Sequence, residues 1–185
     1  MKKLVIFDLD GTLLNTIEDL GQAANYALER NGYATHSMAS YPYFVGNGVR
    51  RLITRVLPED ARDDETVERV LGDFLEFYDE HCTDYTKPYN GMPELLQDLR
   101  DQGVAMAVAS NKYQKAVDKI IPHFFPDINL SPSRGTARAS TSSPTPVWCL
   151  PSLPRLVSPK PTRCTSVTAA WTWRQHAGHA LTRWV

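Results

Sequence analysis

Two carboxylates near the start of the chain have a spacing that could support catalysis or metal binding. Asp8 and Asp10 are followed directly by Gly11 and Thr12. The four apolar residues before Asp8 are rich in β-branched types and predict a short buried strand of a parallel sheet. Ligands bind at the carboxyl end of such strands, and a glycine lets the backbone turn close to them. Two acids beside a hydroxyl and free backbone N–H groups therefore predict a site for a divalent cation and a phosphate.

A second polar cluster, Ser110-Asn111-Lys112, follows an apolar strand predicted over residues 104–109. Taken alone, a Ser or Asn at this place is more often the N-cap of a helix, here the one predicted over Tyr113–Ile121. The cluster alone therefore does not assign a function.

Helical periodicity predicts the elements that position these clusters. Thr16 is expected to cap the first helix, which starts at Ile17 and is ended by Asn31-Gly32. The other helices are predicted from Val49 to near Pro58, from about Asp64 to His81, over Pro93–Gln102 and over Tyr113–Ile121. The sequence clearly predicts only two strands, whereas a doubly wound core needs about five.

The order of these features resembles the haloacid dehalogenase (HAD) superfamily of phosphatases over about the first 130 residues. An apolar strand, D-x-D-G-T, a helical insert, G-M-x-E-L-L, a second strand and S-N-K follow one another. The resemblance implies the α/β fold class: a HAD-like Rossmannoid parallel-sheet core with an inserted helical cap. It implies a core over residues 1–14 and 88–130 and a cap over 15–87, with the core incomplete after about residue 130.

The resemblance also implies a role for each motif residue. Asp8 would be the nucleophile that takes the phosphoryl group as an aspartyl phosphate, and Asp10 the general acid and base. Mg²⁺ would be held by the Asp8 carboxylate and the Asp10 backbone carbonyl. The expected phosphate-binding residues are Gly11, Thr12, Ser110 and Asn111.

Gly46, Asn47 and Gly48 stand just before a predicted helix and form a turn whose N–H groups favour an anion. This turn resembles the cap loop of phosphoglycolate phosphatase-like members, which closes over the substrate. Arg50 or Arg51 could then contact a substrate carboxylate, although a solvated basic helix face is the more common role for such arginines.

Two further motifs that the resemblance implies are not recognised in the sequence. One is a lysine after the second cluster, often in K-P-x-P, and the other is a later G-D-x-x-x-D whose acids complete the metal site. No Asp or Glu follows Asp127. Lys112 is expected to lie too near the second cluster to be that lysine, and Lys160-Pro161 lies in unpatterned sequence.

The composition changes abruptly near residue 130. Residues 1–130 hold all 21 acidic residues and carry a net charge of −8, whereas residues 131–185 carry +7 and all four tryptophans. The Pro-, Ser- and Thr-rich segment beyond the break shows no helical or strand period and is typical of a basic disordered arm.

The genetic code offers a reason for this break. Trp171-Thr172 read one frame over must give GAC, an aspartate codon, because TGG is followed by AC. The same frame permits Y-V-G-D-S-G-V-D-M across Cys164–Trp173 and K-P-D-P across Ser142–Trp148. We therefore predict that the residues from about Leu130 onward are an out-of-frame translation of a phosphatase gene. The exact chain is then expected to be poorly folded after residue 130 and weak or inactive as a catalyst.

Charge and composition exclude several partners. A net charge of −1 gives no electrostatic reason to expect nucleic acid. No apolar run is long enough to span a membrane, and no signal peptide is expected. Three widely spaced cysteines without a metal-site pattern favour a reduced, cytoplasmic setting. The expected partner is a small phosphorylated metabolite, and the oligomeric state is not predicted.

Three hypotheses follow from the sequence. The first is a Mg²⁺-dependent phosphatase of small metabolites, phosphoglycolate-like by its cap loop. The second is a non-catalytic remnant of such an enzyme, and the third, ranked last, is a protein that binds nucleic acid or an acidic partner through its basic tail. Within the first class, a hexose-phosphate mutase or a pyrophosphatase would share Asp8 and Asp10.

Overall fold

The computed structural model describes residues 4–132 of the backbone and the side chains of residues 4–130. In chain order, its strands and helices are β1 (Leu4–Phe7), β2 (Leu14–Asn15), α1 (Ile17–Arg30), α2 (Tyr41–Phe44), α3 (Val49–Val56), α4 (Asp64–His81), β3 (Lys87–Pro88), α5 (Met92–Asp101), β4 (Ala105–Val108), α6 (Gln114–Phe124) and β5 (Leu130–Pro132). The hypotheses about residues 133–185, their out-of-frame origin included, lie outside the described residues and stay predictions.

The core is a parallel sheet in the order β1-β4-β5, which confirms the predicted α/β class. The third strand was not predicted, because three residues that include a proline carry no strand period. It pairs with β4 from Met106↔Leu130 to Val108↔Pro132 and continues the sheet two residues beyond Leu130. The described chain therefore supplies three core strands rather than two.

The prediction that β1 is buried on both faces is wrong for the described part of the chain. Leu4 and Ile6 are 45% and 49% exposed, while Val5 and Phe7 on the other face are partly buried. Among the described strands β1 stands at the sheet edge and pairs only with β4. An unbroken apolar run predicts cover on both faces, but the described residues pack against only one.

The helices agree closely with their predicted bounds. The ranges of α3 and α4 are as expected, and the predicted Pro93–Gln102 helix is found one residue earlier, as α5. The helix expected to end at Ile121 continues as α6 to Phe124 and includes Pro122. None of the described helices is long and apolar enough to cross a membrane.

Helix α1 packs against α4 through an apolar face on each helix. The buried residues on these faces include Leu20, Ala23, Ala24, Ala27 and Leu28 of α1 and Val67, Val70, Leu71, Phe74 and Tyr78 of α4. Both faces follow the helical spacing of apolar residues.

The two connections between the sheet and the inserted helices lie side by side. Strand β2 pairs antiparallel with β3, with Leu14 opposite Pro88 and Asn15 opposite Lys87. The Tyr89 N–H also donates to the Leu13 carbonyl at 3.2 Å. This ribbon supports the predicted division into a core (1–14 and 88–130) and a cap (15–87), which stays a prediction.

Candidate active site

Asp8 directly follows β1, and the chain then folds into a tight turn. The Leu9 N–H donates to Asp8 Oδ1 at 2.7 Å, and the Leu9 carbonyl accepts from the N–H groups of Leu13 and Leu14, both at 3.1 Å. Gly11 has a φ of +79°, a conformation that glycine adopts without strain. The sequence thus places the permissive residue where the turn needs it.

The expectation of free backbone N–H groups in this turn is wrong for its two predicted phosphate-binding residues. The Gly11 N–H donates to the Leu14 carbonyl at 2.9 Å, and the Thr12 N–H donates to the Leu9 carbonyl at 3.4 Å. The turn closes on itself, so these donors are already used. The Thr12 hydroxyl remains available for a ligand.

Asp10 receives two side-chain donors on one oxygen. Thr16 Oγ1 donates to Asp10 Oδ1 at 2.8 Å, and Lys112 Nζ donates to the same oxygen at 2.9 Å. Thr16 stands at the N-cap position of α1, as predicted, but its side chain makes no capping bond there. Its hydroxyl orients the Asp10 carboxylate instead.

Lys112 lies at the acidic site. Its side chain is 2% exposed and forms an ion pair with Asp10. The expectation that Lys112 is not the lysine implied after the second cluster stays a prediction. Strands β1 and β4 are parallel neighbours with Phe7 opposite Val108, so the residues that follow the two strands meet at one edge. The ammonium group also lies 4.9 Å from the ring centroid of Tyr78 on α4, where the ring face attracts a cation.

The second cluster adjoins the first through Ser110. The Ser110 hydroxyl accepts from the Lys112 N–H at 3.2 Å, and it is close enough to the Asp8 carboxyl to lower the pKa of that group. Desolvation raises the pKa of the Asp8 carboxyl above its ordinary value, and the nearby Asp10 charge raises it further. The Leu9 N–H, the Ser110 hydroxyl and the Lys112 charge oppose this rise in pKa. The two predicted motifs therefore form one site.

The predicted cap loop approaches this site. Gly48 has a φ of +83°, and a Cβ built on it would lie 3.7 Å from the Asn111 carbonyl oxygen. Gly46 has a φ of +111°, and Asn47 is exposed between the two glycines. The structure thus brings Gly48 beside Asn111, while the roles of the three loop residues stay predictions.

Neither Arg50 nor Arg51, the two arginines considered for a substrate contact, is shown to contact the candidate site. Arg50 forms ion pairs with Asp64 and Glu68 of α4. Arg51 is exposed on α3. The structure therefore favours the solvated, paired helix face over a substrate contact for Arg50.

Three contributors were not foreseen from the sequence. Thr16 resembled an ordinary helix cap, Lys112 was considered only as the lysine implied after the second cluster, and Tyr78 fitted the apolar face of α4. The one signal that could have found Lys112 was the parallel pairing of the two strands, which places residues 8–10 next to residues 110–112.

The donors at this site suit Mg²⁺ by type. Asp8 and Asp10 offer carboxylate and carbonyl oxygens, and Mg²⁺ usually takes one or two carboxylates together with water and phosphate oxygens. No group of three or more His, Cys, Asp or Glu residues within the described chain is arranged to hold a metal ion.

The chain is similar to proteins of a known family. A family model described as haloacid dehalogenase-like hydrolase matches residues 5–127. A phosphoglycolate phosphatase of Thiobacillus denitrificans is 36% identical over 116 residues, which cover 61% of this chain and 51% of that protein. One from Aquifex aeolicus is 33% identical over 119 residues, covering 64% and 54%. The chain thus spans about half the length of these curated relatives.

The solved structures show the same architecture. A predicted phosphoglycolate phosphatase from Haemophilus somnus superposes with a TM-score of 0.67 at 29% identity. The match covers 72% of this chain and 62% of that one.

Proposed function

The chain belongs to the haloacid dehalogenase-like hydrolase family, and from that membership we propose that it is a Mg²⁺-dependent phosphatase of small phosphorylated metabolites, with a phosphoglycolate-like substrate. The observation that carries this proposal is the meeting of Asp8 and Asp10 with Ser110 and Lys112 at the carboxyl ends of two paired parallel strands. The similarity to phosphoglycolate phosphatases supports the substrate class.

Asp8 is the nucleophile in this proposal. Its carboxylate oxygen forms a bond to phosphorus while the bond from phosphorus to the substrate oxygen breaks, which leaves an aspartyl phosphate. Water then attacks the phosphorus, and the bond to Asp8 breaks to release inorganic phosphate. Because Asp8 lies at the end of β1, the strand holds the nucleophile in a fixed direction.

Asp10 moves the proton in both half-reactions. It gives a proton to the departing substrate oxygen and later takes one from the attacking water. Both described donors, Thr16 and Lys112, bind Oδ1. Oδ2 is therefore the oxygen that exchanges the proton.

The transferring phosphoryl oxygens meet the Ser110 hydroxyl, Asn111 and the Thr12 hydroxyl. Fixed donors that face the developing charge stabilise such a transition state without reorganisation. Mg²⁺, held by the Asp8 carboxylate and the Asp10 carbonyl, would neutralise phosphate charge.

Turnover by this exact chain is proposed to be slow, and a non-catalytic remnant is the second candidate. The observation that favours the remnant is the absence of any Asp or Glu among residues 131–185 of the sequence. Lys112 offsets part of the negative charge of Asp8 and Asp10, which favours retained phosphoryl transfer over complete loss.

A substrate panel tests the proposal. Phosphate release by the purified 185-residue chain would be measured on phosphoglycolate, a hexose phosphate and pyrophosphate, with Mg²⁺ and with a chelator. We expect slow, Mg²⁺-dependent release that is fastest on phosphoglycolate and absent in Asp10→Asn. Preference for pyrophosphate would contradict the substrate class, and no release from any of them would favour the remnant.

A further inference from the structure

The segment Phe44–Gly48 runs from the last residue of α2 to the N-cap of α3 and contains the predicted cap loop, Gly46–Gly48. Gly46 and Gly48 both have positive φ values, +111° and +83°. Glycine reaches such conformations freely and loses more conformational entropy than other residues when it becomes ordered. An ordered loop of this kind therefore needs contacts from outside it.

Besides the backbone hydrogen bonds at the two ends of the segment, Arg55 on α3 supplies side-chain contacts to it. Its Nη1 donates to the Phe44 carbonyl at 2.7 Å and more weakly to the Val45 carbonyl at 3.5 Å. Its Nη2 donates to Asn47 Oδ1 at 2.6 Å. One planar guanidinium group thus binds both the start of the loop and its exposed tip, a geometry that a lysine cannot reproduce.

The loop held by Arg55 approaches the predicted phosphate-binding residue Asn111. A Cβ built on Gly48 would lie 3.7 Å from the Asn111 carbonyl oxygen. Arg55 itself is partly buried, whereas Asn47 and Asn111 are exposed. Arg55 therefore acts on the site through the loop and not by its own contact with a ligand.

We infer that Arg55 is the positioning residue that holds loop Phe44–Gly48 beside Ser110-Asn111, and that affinity for the phosphorylated substrate depends on this hold. The inference rests on the proposed function for the identity of the ligand. A loop that is ordered before binding loses less entropy when the substrate arrives. Arg55 keeps the Asn47 tip ordered in this way.

The test measures phosphoglycolate affinity in the presence of Mg²⁺ by calorimetry on the full chain. Arg55→Ala is expected to weaken binding by about tenfold, the equivalent of one or two charge-assisted hydrogen bonds. Arg55→Lys keeps the positive charge but loses the planar guanidinium group. Its affinity for phosphoglycolate should lie between those of the wild type and Arg55→Ala. Arg62→Ala is the matched control, because Arg62 also donates to a cap carbonyl, that of Leu57.

A double-mutant cycle separates positioning from general loosening of the cap. If Arg55 acts through Asn47, Arg55→Ala should weaken binding much less in an Asn47→Ala background. Amide hydrogen exchange should rise within residues 44–48 of Arg55→Ala and stay unchanged there in Arg62→Ala.

The outcomes that would overturn the inference differ from those that concern the proposed function. Unchanged affinity in Arg55→Ala, independent effects in the cycle, or equal weakening by Arg62→Ala would each show that Arg55 does not position this loop for the substrate. A wild-type chain that binds no phosphoglycolate would instead remove the proposed function, and the inference with it.

Discussion

The positive charge of Lys112 offsets part of the negative charge of the acidic site. Asp8 and Asp10 place two carboxylates near each other, and the Lys112 ammonium is the cation bound to Asp10 at 2.9 Å. Its side chain is 2% exposed, whereas that of Asp10 is 31% exposed. A buried lysine without a partner is strongly unfavourable, so the burial of Lys112 depends on its ion pair with Asp10.

Substitution of Lys112 should therefore cost more than substitution of an exposed lysine. We expect Lys112→Gln to lower the free energy of unfolding by about 1–3 kcal/mol, because Asp10 loses its counter-charge beside Asp8. Lys115→Gln is the control: its side chain is 76% exposed in an ion pair with Asp79, and its loss should cost under about 1 kcal/mol. Urea unfolding measures both values, and equal losses would contradict a structural role for the Lys112 pair.

Some residues of the candidate site could be predicted from the sequence, and others could not. Motif spacing and strand position predict Asp8, Asp10 and Ser110 as site residues, and the structure places the three near one another. The contacts of Thr16 and Lys112 with Asp10 were not predicted, because they depend on which side chains meet across the edge of the sheet. Only the pairing of β1 with β4 supplies that information.

At the scale of elements, α4 is the clearest case of a helix that local sequence specifies. Asp63 precedes it, and Asp63 Oδ1 accepts from the Thr66 N–H at 2.9 Å, as an N-cap should. An apolar face then follows helical spacing to His81, so both ends were predictable. Strand β5 was not, because three residues are too few to show a period.

The Asp63 cap makes stability depend on pH. The Thr66 N–H lowers the pKa of Asp63 below its ordinary value. The cap therefore stabilises the fold above the ordinary pKa, and this stabilisation is lost as the pH falls through the lowered folded value. Asn accepts the same bond without titrating, so Asp63→Asn should lose less thermal stability than wild type between about pH 5 and pH 3.

Thermal unfolding followed by circular dichroism at both pH values measures this difference. Asp63→Ala serves as the control, because it removes the acceptor and should lower the midpoint at neutral pH as well. A wild type and an Asp63→Asn variant with identical pH profiles would show that the Asp63 cap does not contribute.

At the scale of the whole molecule, the C-terminal end of α4, in the predicted cap, is hydrogen-bonded to α6 and to the residue before it, in the predicted core. The Tyr113 hydroxyl donates to Asp79 at 2.6 Å, and Lys119 Nζ donates to the carbonyls of Asp79 and Glu80 at 2.6 and 3.1 Å. The cap loop approaches the core at Gly48, beside Asn111. The predicted cap and the predicted core are thus in contact at two separate places.

The exposed face of β1 gives a whole-molecule prediction. Leu4 is 45% exposed, whereas Leu28 is fully buried. Leu4→Ala should change the free energy of unfolding by less than about 1 kcal/mol, while Leu28→Ala should cost about 2–5 kcal/mol. Chemical unfolding of both variants compares them, and a Leu4 loss as large as the Leu28 loss would show that this face is covered.

The most direct test of the proposed mechanism is to locate the phosphoryl group on the protein. The full chain would be mixed with phosphoglycolate and Mg²⁺, quenched in acid at short times, digested and analysed by mass spectrometry. We expect one phosphoryl group on the peptide that contains Asp8, and none in Asp8→Asn, even if turnover is slow. A phosphoryl group on another residue, or an Asp8 peptide that stays unmodified at every time, would contradict the proposed mechanism.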